Sequence, residues 1–359
     1  MALLAFLIAS AFLAFAMAGY PALLWLLARR KAVDPARASQ DPLSVTVLLP
    51  VHNGEQWIRA KIESLLAMEY PRDLLRILVL SDGSTDGTDT IVSGFANSNV
   101  DLLRLPKGGK AVALNRGLEP GCLRHLAEAF ADPAIGGACG ELVILDGDTQ
   151  GEASVGLYWR VEKWIRRQLS RMGTLLVVTG CLYAIRRKLA KPLPDDALGD
   201  DIFMPQAVLA QGYRVVFVEK ARAYDYPTTL DIEFNRKVRT LAGLYQFLTK
   251  QGLGSRPFHF FWYKASRLLL PYALLAIAVS SLFLPAWLAW PMVAGQVLFY
   301  GLAAMDPLFP EGSVFKQISA PARTFCMLMW ASLTAARILF VPAGTLWKTS
   351  QVRARHQSD

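Results

Sequence analysis

Leu75-Arg76-Ile77-Leu78-Val79-Leu80-Ser81-Asp82-Gly83-Ser84-Thr85-Asp86-Gly87-Thr88 changes character at Ser81. A largely apolar run gives way to residues that are all small or polar, the pattern of a buried strand running into a turn. The same transition occurs twice more. Upstream, Val45-Thr46-Val47-Leu48-Leu49-Pro50 runs into His52-Asn53-Gly54-Glu55, and downstream a strand near Val100 to Leu105 runs into Lys107-Gly108-Gly109-Lys110. Between the strands, Ile58, Ile62, Leu65 and Leu66 recur at helical spacing, and a second helix is expected near Asp86 to Asn97. Strand and helix alternate at lengths that suit right-handed parallel crossovers. The pattern predicts an α/β fold on a Rossmann-like, mixed but mostly parallel sheet. Ligands of such sheets sit beyond the carboxyl ends of the strands, and all three polar turns fall there. A lone Asp-Gly-Ser turn is usually only a turn; three in order define a site.

Several function classes drop out. The Gly-x-Gly-x-x-Gly dinucleotide signature does not follow the first strand, and there is no Walker phosphate loop. The net charge of +9 would suggest nucleic acid on a soluble protein. Here the basic residues flank apolar segments and the polar turns, so anionic lipid and a nucleotide are the expected partners, and nucleic acid is not. Cys122, Cys139, Cys181 and Cys326 are widely spaced, which suggests neither a zinc site nor a disulfide framework.

The chain is 53% hydrophobic, high for a soluble protein, with the excess near its ends. Residues 1–28 carry no side-chain charge and precede Arg29-Arg30-Lys31. A helix of roughly 20 apolar residues crosses a bilayer, so this segment is read as a retained membrane helix rather than a signal peptide, which has a basic start and a shorter apolar run. Its basic flank places residue 29 onward on the cytoplasmic side. A polar linker over residues 32–44 leads into a domain spanning 44–252. An uncharged run from Leu268 to Met305 is long enough for two crossings, with Pro285 and Pro291 near the natural hairpin point. A third segment, Thr324 to Trp347, contains Arg337 and either spans or lies in the interface. Residues 256–347 thus hold two or three segments. Within them, Arg256 to Lys264 interleaves aromatic and basic residues, suited to the headgroup zone, with a packed surface helix as the alternative. The expected protein is a multi-pass protein of the cell membrane with its α/β domain in the cytoplasm.

Four features together resemble glycosyltransferase family 2, with the GT-A fold: Pro50-x-His52-Asn53 with Glu55; the turn from Ser81 to Thr88; Lys107-Gly108-Gly109-Lys110 with Ala113-Leu114-Asn115; and Gly199-Asp200-Asp201. The likeness covers about residues 44–250. It implies that Pro50, His52, Asn53 and Glu55 belong to the nucleoside pocket, that Asp82 holds a uracil ring, and that Lys110 faces the diphosphate of a UDP-sugar donor. Asp200-Asp201 resembles the family's acidic pair at a helix start. An acidic pair there is otherwise an ordinary N-terminal cap. The implied reaction is inverting transfer of a sugar to a lipid or polysaccharide acceptor, with Asp201 as base. Asn235-Arg236-Lys237-Val238-Arg239 stands where related synthases carry Gln-x-x-Arg-Trp, without the Gln or Trp. Arg236 and Arg239 are candidates for the acceptor or diphosphate side, or else a basic helix face. Gly180, in Thr179 to Arg187, resembles the strand near the acceptor, and Tyr158, Trp159 and Trp164 read as core. Other polysaccharide-synthesis subunits are further candidate partners.

The sequence departs from the family at a second place. A short apolar strand ending in an Asp-x-Asp site for a divalent metal, Mg or Mn, is expected after Asn115-Arg116-Gly117, but Leu118-Glu119-Pro120 follows at once. Metal ligands are therefore unknown. Asp146-Gly147-Asp148 has the right letters but follows what reads as a later strand. An inactive relative that binds nucleotide sugar or partners a synthase, an enzyme with a deletion or incomplete sequence, and substitution by Asp146 and Asp148 are the three explanations. Survival of Lys110, Asn115 and Asp200-Asp201 favours the second. A channel or transporter with a cytosolic domain is the rival from another class.

Overall fold

The computed structural model of the chain describes residues 1–30, 42–96, 98–105, 121–144, 150–194, 196–225 and 230–342. Lys107, Lys110, Asn115, Asp146, Asp148 and Asp195 lie outside the described residues, as does the junction at Gly117.

Helix α1 (Ala2–Ala14), a π-helical turn (Phe15–Gly19) and α2 (Tyr20–Arg30) run as one apolar rod. The first half of the α/β domain follows as β1 (Val45–Val51), α3 (Ile58–Leu66), β2 (Leu75–Asp82), α4 (Thr88–Ser93) and β3 (Val100–Leu105). These strands form a parallel sheet in the order β1-β2-β3, with Val51 opposite Ser81 and Asp82 opposite Leu105. Equal register brings the carboxyl ends of β1 and β2 level, so the turns at 52 and 82 meet.

The second half contains α5 (Cys122–Glu128), β4 (Ile135–Ile144), α6 (Gln150–Arg171), β5 (Tyr183–Ile185), α7 (Asp200–Ala210), β6 (Arg214–Asp225) and α8 (Leu230–Gln251). Its sheet has the order β5-β4-β6, with β4 antiparallel to β5 and parallel to β6. The mixed, mostly parallel α/β architecture expected from the sequence is therefore present, but divided between two sheets. Among the described residues β1 pairs only with β2, and β5 only with β4. The halves are still packed together: Leu49 and Val51 share a buried cluster with Ala138, Leu142, Leu182, Ala221 and Ala223. At Gly140 a Cβ would stand 2.7 Å from the Ala221 carbonyl oxygen, so only glycine lets these segments approach as they do.

Then come α9 (Pro257–Phe260), a π-helical turn (Phe261–Ala265), α10 (Ser266–Ser281), α11 (Ala286–Met305) and α12 (Val314–Ala335). Among the described residues two helices are long and apolar enough to cross a membrane, Ala2–Arg29 and Ala286–Leu308. Helix α10 runs on without a break from α9 and the π-helical turn, so residues 257–281 form one helical rod. Arg337 stands in a 3₁₀ turn beyond α12, whose last turns place Ala331 and Ala335 against Leu198, Val238 and Ala242.

The N-terminal rod is not held apart from the α/β domain. Tyr20 and Leu24 are buried in one cluster with Leu169, Phe203, Phe247, Phe260, Tyr263 and Leu268. The segment from Arg256 to Lys264 contributes to that cluster through Phe260 and Tyr263, while Phe258 is exposed. Its inner side is thus the packed helix of the alternative reading, and its outer side keeps the aromatic surface.

Candidate active site

The turns after β1 and β2 are laced together. His52 Nδ1 lies 2.7 Å from the Asp82 carbonyl oxygen, which can only accept, so Nδ1 carries the proton. The Asn53 amide donates to Ser84 Oγ (3.1 Å), and Asn53 Oδ1 accepts from the Thr85 amide (2.8 Å). Asn53 has φ +49°, a left-handed conformation that Asn tolerates better than most residues, and Gly83 has φ +60°. The Gly54 amide donates to Thr88 Oγ1 (2.8 Å), the Glu55 amide to Asp86 Oδ2 (3.1 Å), and the Gly87 amide to Glu55 Oε2 (2.9 Å). Hydrogen bonds from Thr88 and the Glu55 amide outweigh partial burial and hold the Asp86 carboxyl below its usual range. Pro50 stands near the end of β1, an edge strand among the described residues, where a residue without an N–H is tolerated. Asp82 is buried at the end of β2. The structure thus brings Pro50, His52, Asn53, Glu55 and Asp82 to one sheet edge. Asn53 and Glu55 also serve the turns themselves.

Asp200 and Asp201 open α7 after Gly199. The Tyr183 hydroxyl donates to Asp200 Oδ2 at 2.7 Å, and burial with the adjacent Asp200 charge pushes that phenol far above its ordinary pKa. The Val178 amide donates to the Asp201 carbonyl oxygen at 3.0 Å, and Gln206 Nε2 to the Leu176 carbonyl at 3.1 Å. The segment from Leu175 to Val178, wholly buried, therefore holds the start of α7. The Asp201 carboxylate lies between two glycines: a Cβ on Gly199 would be 2.9 Å from its Oδ1, and one on Gly180 3.6 Å from its Cβ. Tyr183 was not singled out in the sequence; its place in the Thr179 to Arg187 motif was the available signal. The acidic pair belongs to the second sheet and the donor-side turns to the first.

Arg236 is not a free cation. Its guanidinium lies 2.5 Å from the buried carboxylate of Glu233, with Lys237 Nζ at 3.4 Å from the same group. Both sit over the ring of Trp159, at 5.9 and 5.2 Å from its centroid. Arg239 is half-buried on α8. Trp159 and Trp164 are partly buried against the two core clusters, and the Tyr158 side chain lies outside the described residues.

Among the described residues no three His, Cys, Asp or Glu side chains gather as metal ligands. Glu55 and Asp86 bind backbone amides, Asp89 holds Ser81 and Arg104, and Asp200 holds Tyr183. These residues do not make up a site for the divalent metal that the resemblance implies.

Two family models match the chain. Glycosyl transferase family 2 covers residues 46–119, and glycosyl transferase family group 2 covers 115–303, more than half of the 359 residues. The two models overlap at residues 115–119. A probable glycosyltransferase of Bacillus subtilis, YdaM, is 26% identical over 231 residues, 55% of this chain and 54% of that protein. A poly-beta-1,6-N-acetyl-D-glucosamine synthase of Staphylococcus epidermidis is 22% identical over 57% of this chain and 56% of its own length. The chain thus spans about half the length of these two curated relatives. Among solved structures, the mannosyltransferase PcManGT from Pyrobaculum calidifontis, in complex with GDP-Man and Mn2+, superposes with TM-score 0.70 at 22% identity, covering 94% of this chain and 99% of that one. That likeness concerns the fold and extends to the helices outside the α/β domain. With the laced turns, the acidic pair at the head of α7 and a family model over most of the second half, the chain belongs to glycosyltransferase family 2.

Proposed function

We propose that this protein is an inverting glycosyltransferase that moves a sugar from a nucleotide donor, UDP-linked by resemblance, to a lipid or polysaccharide acceptor at the cytoplasmic face of the membrane. The observation that carries the reading is the setting of Asp201: a carboxylate at a helix start whose backbone carbonyl is held by the Val178 amide, flanked by two glycines that leave room beside it. An acceptor hydroxyl has a high pKa, so its proton must leave as the new bond forms. Asp201 takes that proton. The hydroxyl oxygen attacks the anomeric carbon from the face opposite the leaving group. The bond to the diphosphate breaks, and the configuration inverts. Asp200, at the same helix start, accepts from the Tyr183 hydroxyl. On the donor side, the turns at 52–55 and 82–88 form a preorganised cradle for the nucleoside, and Lys110 meets charge on the leaving diphosphate. The acceptor class is supported by the Staphylococcus epidermidis synthase, and the cytoplasmic placement by Arg29-Arg30-Lys31 after the first apolar helix.

Purified protein incubated with a panel of UDP- and GDP-sugars, with magnesium or manganese supplied, tests this directly. Sugar transfer that disappears in Asp201→Asn is the expected result. Donor binding without turnover under every condition would identify an inactive relative instead.

A further inference from the structure

Glu162, on α6, is 3% exposed, yet four groups converge on its carboxylate. The Tyr263 hydroxyl is 2.5 Å from Oε1, Lys264 Nζ 2.7 Å from Oε1, Arg267 Nη2 2.7 Å from Oε2, and Arg166 Nε 3.5 Å from Oε1. Tyr263 and Lys264 come from the π-helical turn before α10, and Arg267 from the first turn of α10. That stretch is also where the N-terminal rod docks: the Trp262 ring packs against Phe12, tilted, and edge-on against Phe15, and Tyr20 contacts His259. Nothing in the family resemblance or in the proposed chemistry uses Glu162.

Arg166 lies one helical turn further along α6, on the same face. Its guanidinium donates to Thr179 Oγ1, and Nη1 lies 3.9 Å from Cys139 Sγ. The Thr179 amide lies 3.0 Å from the same sulfur. Thr179 joins Val178, which holds the Asp201 backbone, to Gly180, which lies against the Asp201 side chain. A continuous set of buried polar contacts therefore runs from Arg267 at the head of α10, through Glu162 and Arg166, to the segment that seats Asp201. Removing one member of a buried, charge-assisted set leaves the others uncompensated, so its members hold position together.

We propose that Glu162 and Arg166 are positioning residues, which couple the seating of the membrane-proximal segment 257–267 to the placement of the Asp201 carboxylate. The proposal rests on the reading of Asp201 as the base. Its readout on Cys139 does not. Cys139 is fully buried behind Thr179, so loosening of this segment raises its labelling by a maleimide whether or not sugar is transferred.

The test uses the full chain in lipid nanodiscs, with Glu162→Gln, Arg166→Gln and the milder Arg166→Lys. Peptide-resolved labelling of Cys139 is measured beside kcat and donor KM. In the Gln variants labelling rises, kcat falls roughly 10- to 100-fold, as expected for a base moved by a fraction of an ångström to 1 Å, and donor KM stays within about threefold, since the donor turns stand on the other sheet. Arg166→Lys, which keeps the positive charge, recovers part of both. If a Gln variant fails to fold, the Arg166→Lys labelling and kcat decide. Cys139 protection and kcat both within twofold of the parent would overturn the proposal, and so would loosening without loss of kcat. If Asp201→Asn keeps full turnover while Cys139 protection still depends on Arg166, it is the catalytic reading that fails.

Discussion

Gly199→Ala separates the role of Asp201 from its fold. A methyl group at position 199 would sit 2.9 Å from Asp201 Oδ1, where ordinary contact begins at 3.4 Å, so the carboxylate must withdraw by about 0.5 Å. The backbone itself raises no objection, since Gly199 has φ −147°, which alanine adopts freely. The stability cost is then confined to an off-rotamer Asp201 and is about 0.5–1.5 kcal/mol. The catalytic cost is larger in proportion. Misplacing a reacting group by about 1 Å costs roughly 100-fold, and half that displacement roughly tenfold, or about 1.4 kcal/mol of barrier. The expected outcome is a kcat lowered 10- to 100-fold in a protein whose melting temperature moves by only a few degrees. Gly180→Ala is the companion measurement. Its methyl would make a 3.6 Å contact with the Asp201 Cβ, within ordinary range, and would leave the carboxylate in place. Any loss there is expected in acceptor KM, because the family resemblance puts Gly180 on the acceptor side. Turnover of folded Gly199→Ala within twofold of the parent would refute the assignment of Asp201 as base.

Three further outcomes follow from the same geometry. Tyr183→Phe deletes the hydroxyl that Asp200 accepts at 2.7 Å; loss of a hydrogen bond to a charged group lowers stability by about 1.5–3 kcal/mol, measurable by chemical denaturation, and unchanged stability would mean that water replaces it. Phe247→Ala, at a site with no exposed surface and aromatic neighbours at 5.1 Å on two sides, is expected to destabilise by about 3–5 kcal/mol through the cavity it leaves. Burial alone would raise the Glu162 carboxyl, but Arg267, Lys264 and Arg166 outweigh it and hold it well below its ordinary 4.5. A depressed carboxyl contributes stability above the unfolded value and loses it as pH falls. The melting temperature should therefore drop on acidification below about pH 4.5, and Glu162→Gln should flatten that slope; an unchanged slope would refute the pairing.

The first sheet was legible because its strands are continuous apolar runs and its turns carry Asn, Asp, Gly and Ser for local reasons. Asn53 at positive φ and Asp86 bonding the Thr88 amide are both written in neighbouring residues. The division into two sheets was less legible, since a run of residues does not state which strand pairs with which. The acidic pair was found by motif, but its partner Tyr183 required the fold, 17 positions away. The Glu162 set was invisible for the same reason at greater range: three of its four partners lie 101 to 105 residues further on. Aromatics between Arg256 and Lys264 carried a membrane signal that masked the buried half of their surface, since composition averages the two sides of a helix.

Tyr20 reaches its partner His259 across 239 positions of sequence. At a synthesis rate of about 5–20 residues per second, roughly 12 to 48 s separate their emergence from the ribosome. For that interval the apolar rod waits in place while Phe247, Phe260 and Tyr263, which close over Leu24, have yet to be made. The protein's second core is thus completed only once the α/β domain has been made, by segments from either side of it. An α/β domain cut away from both would be left with an open flank rather than a finished surface.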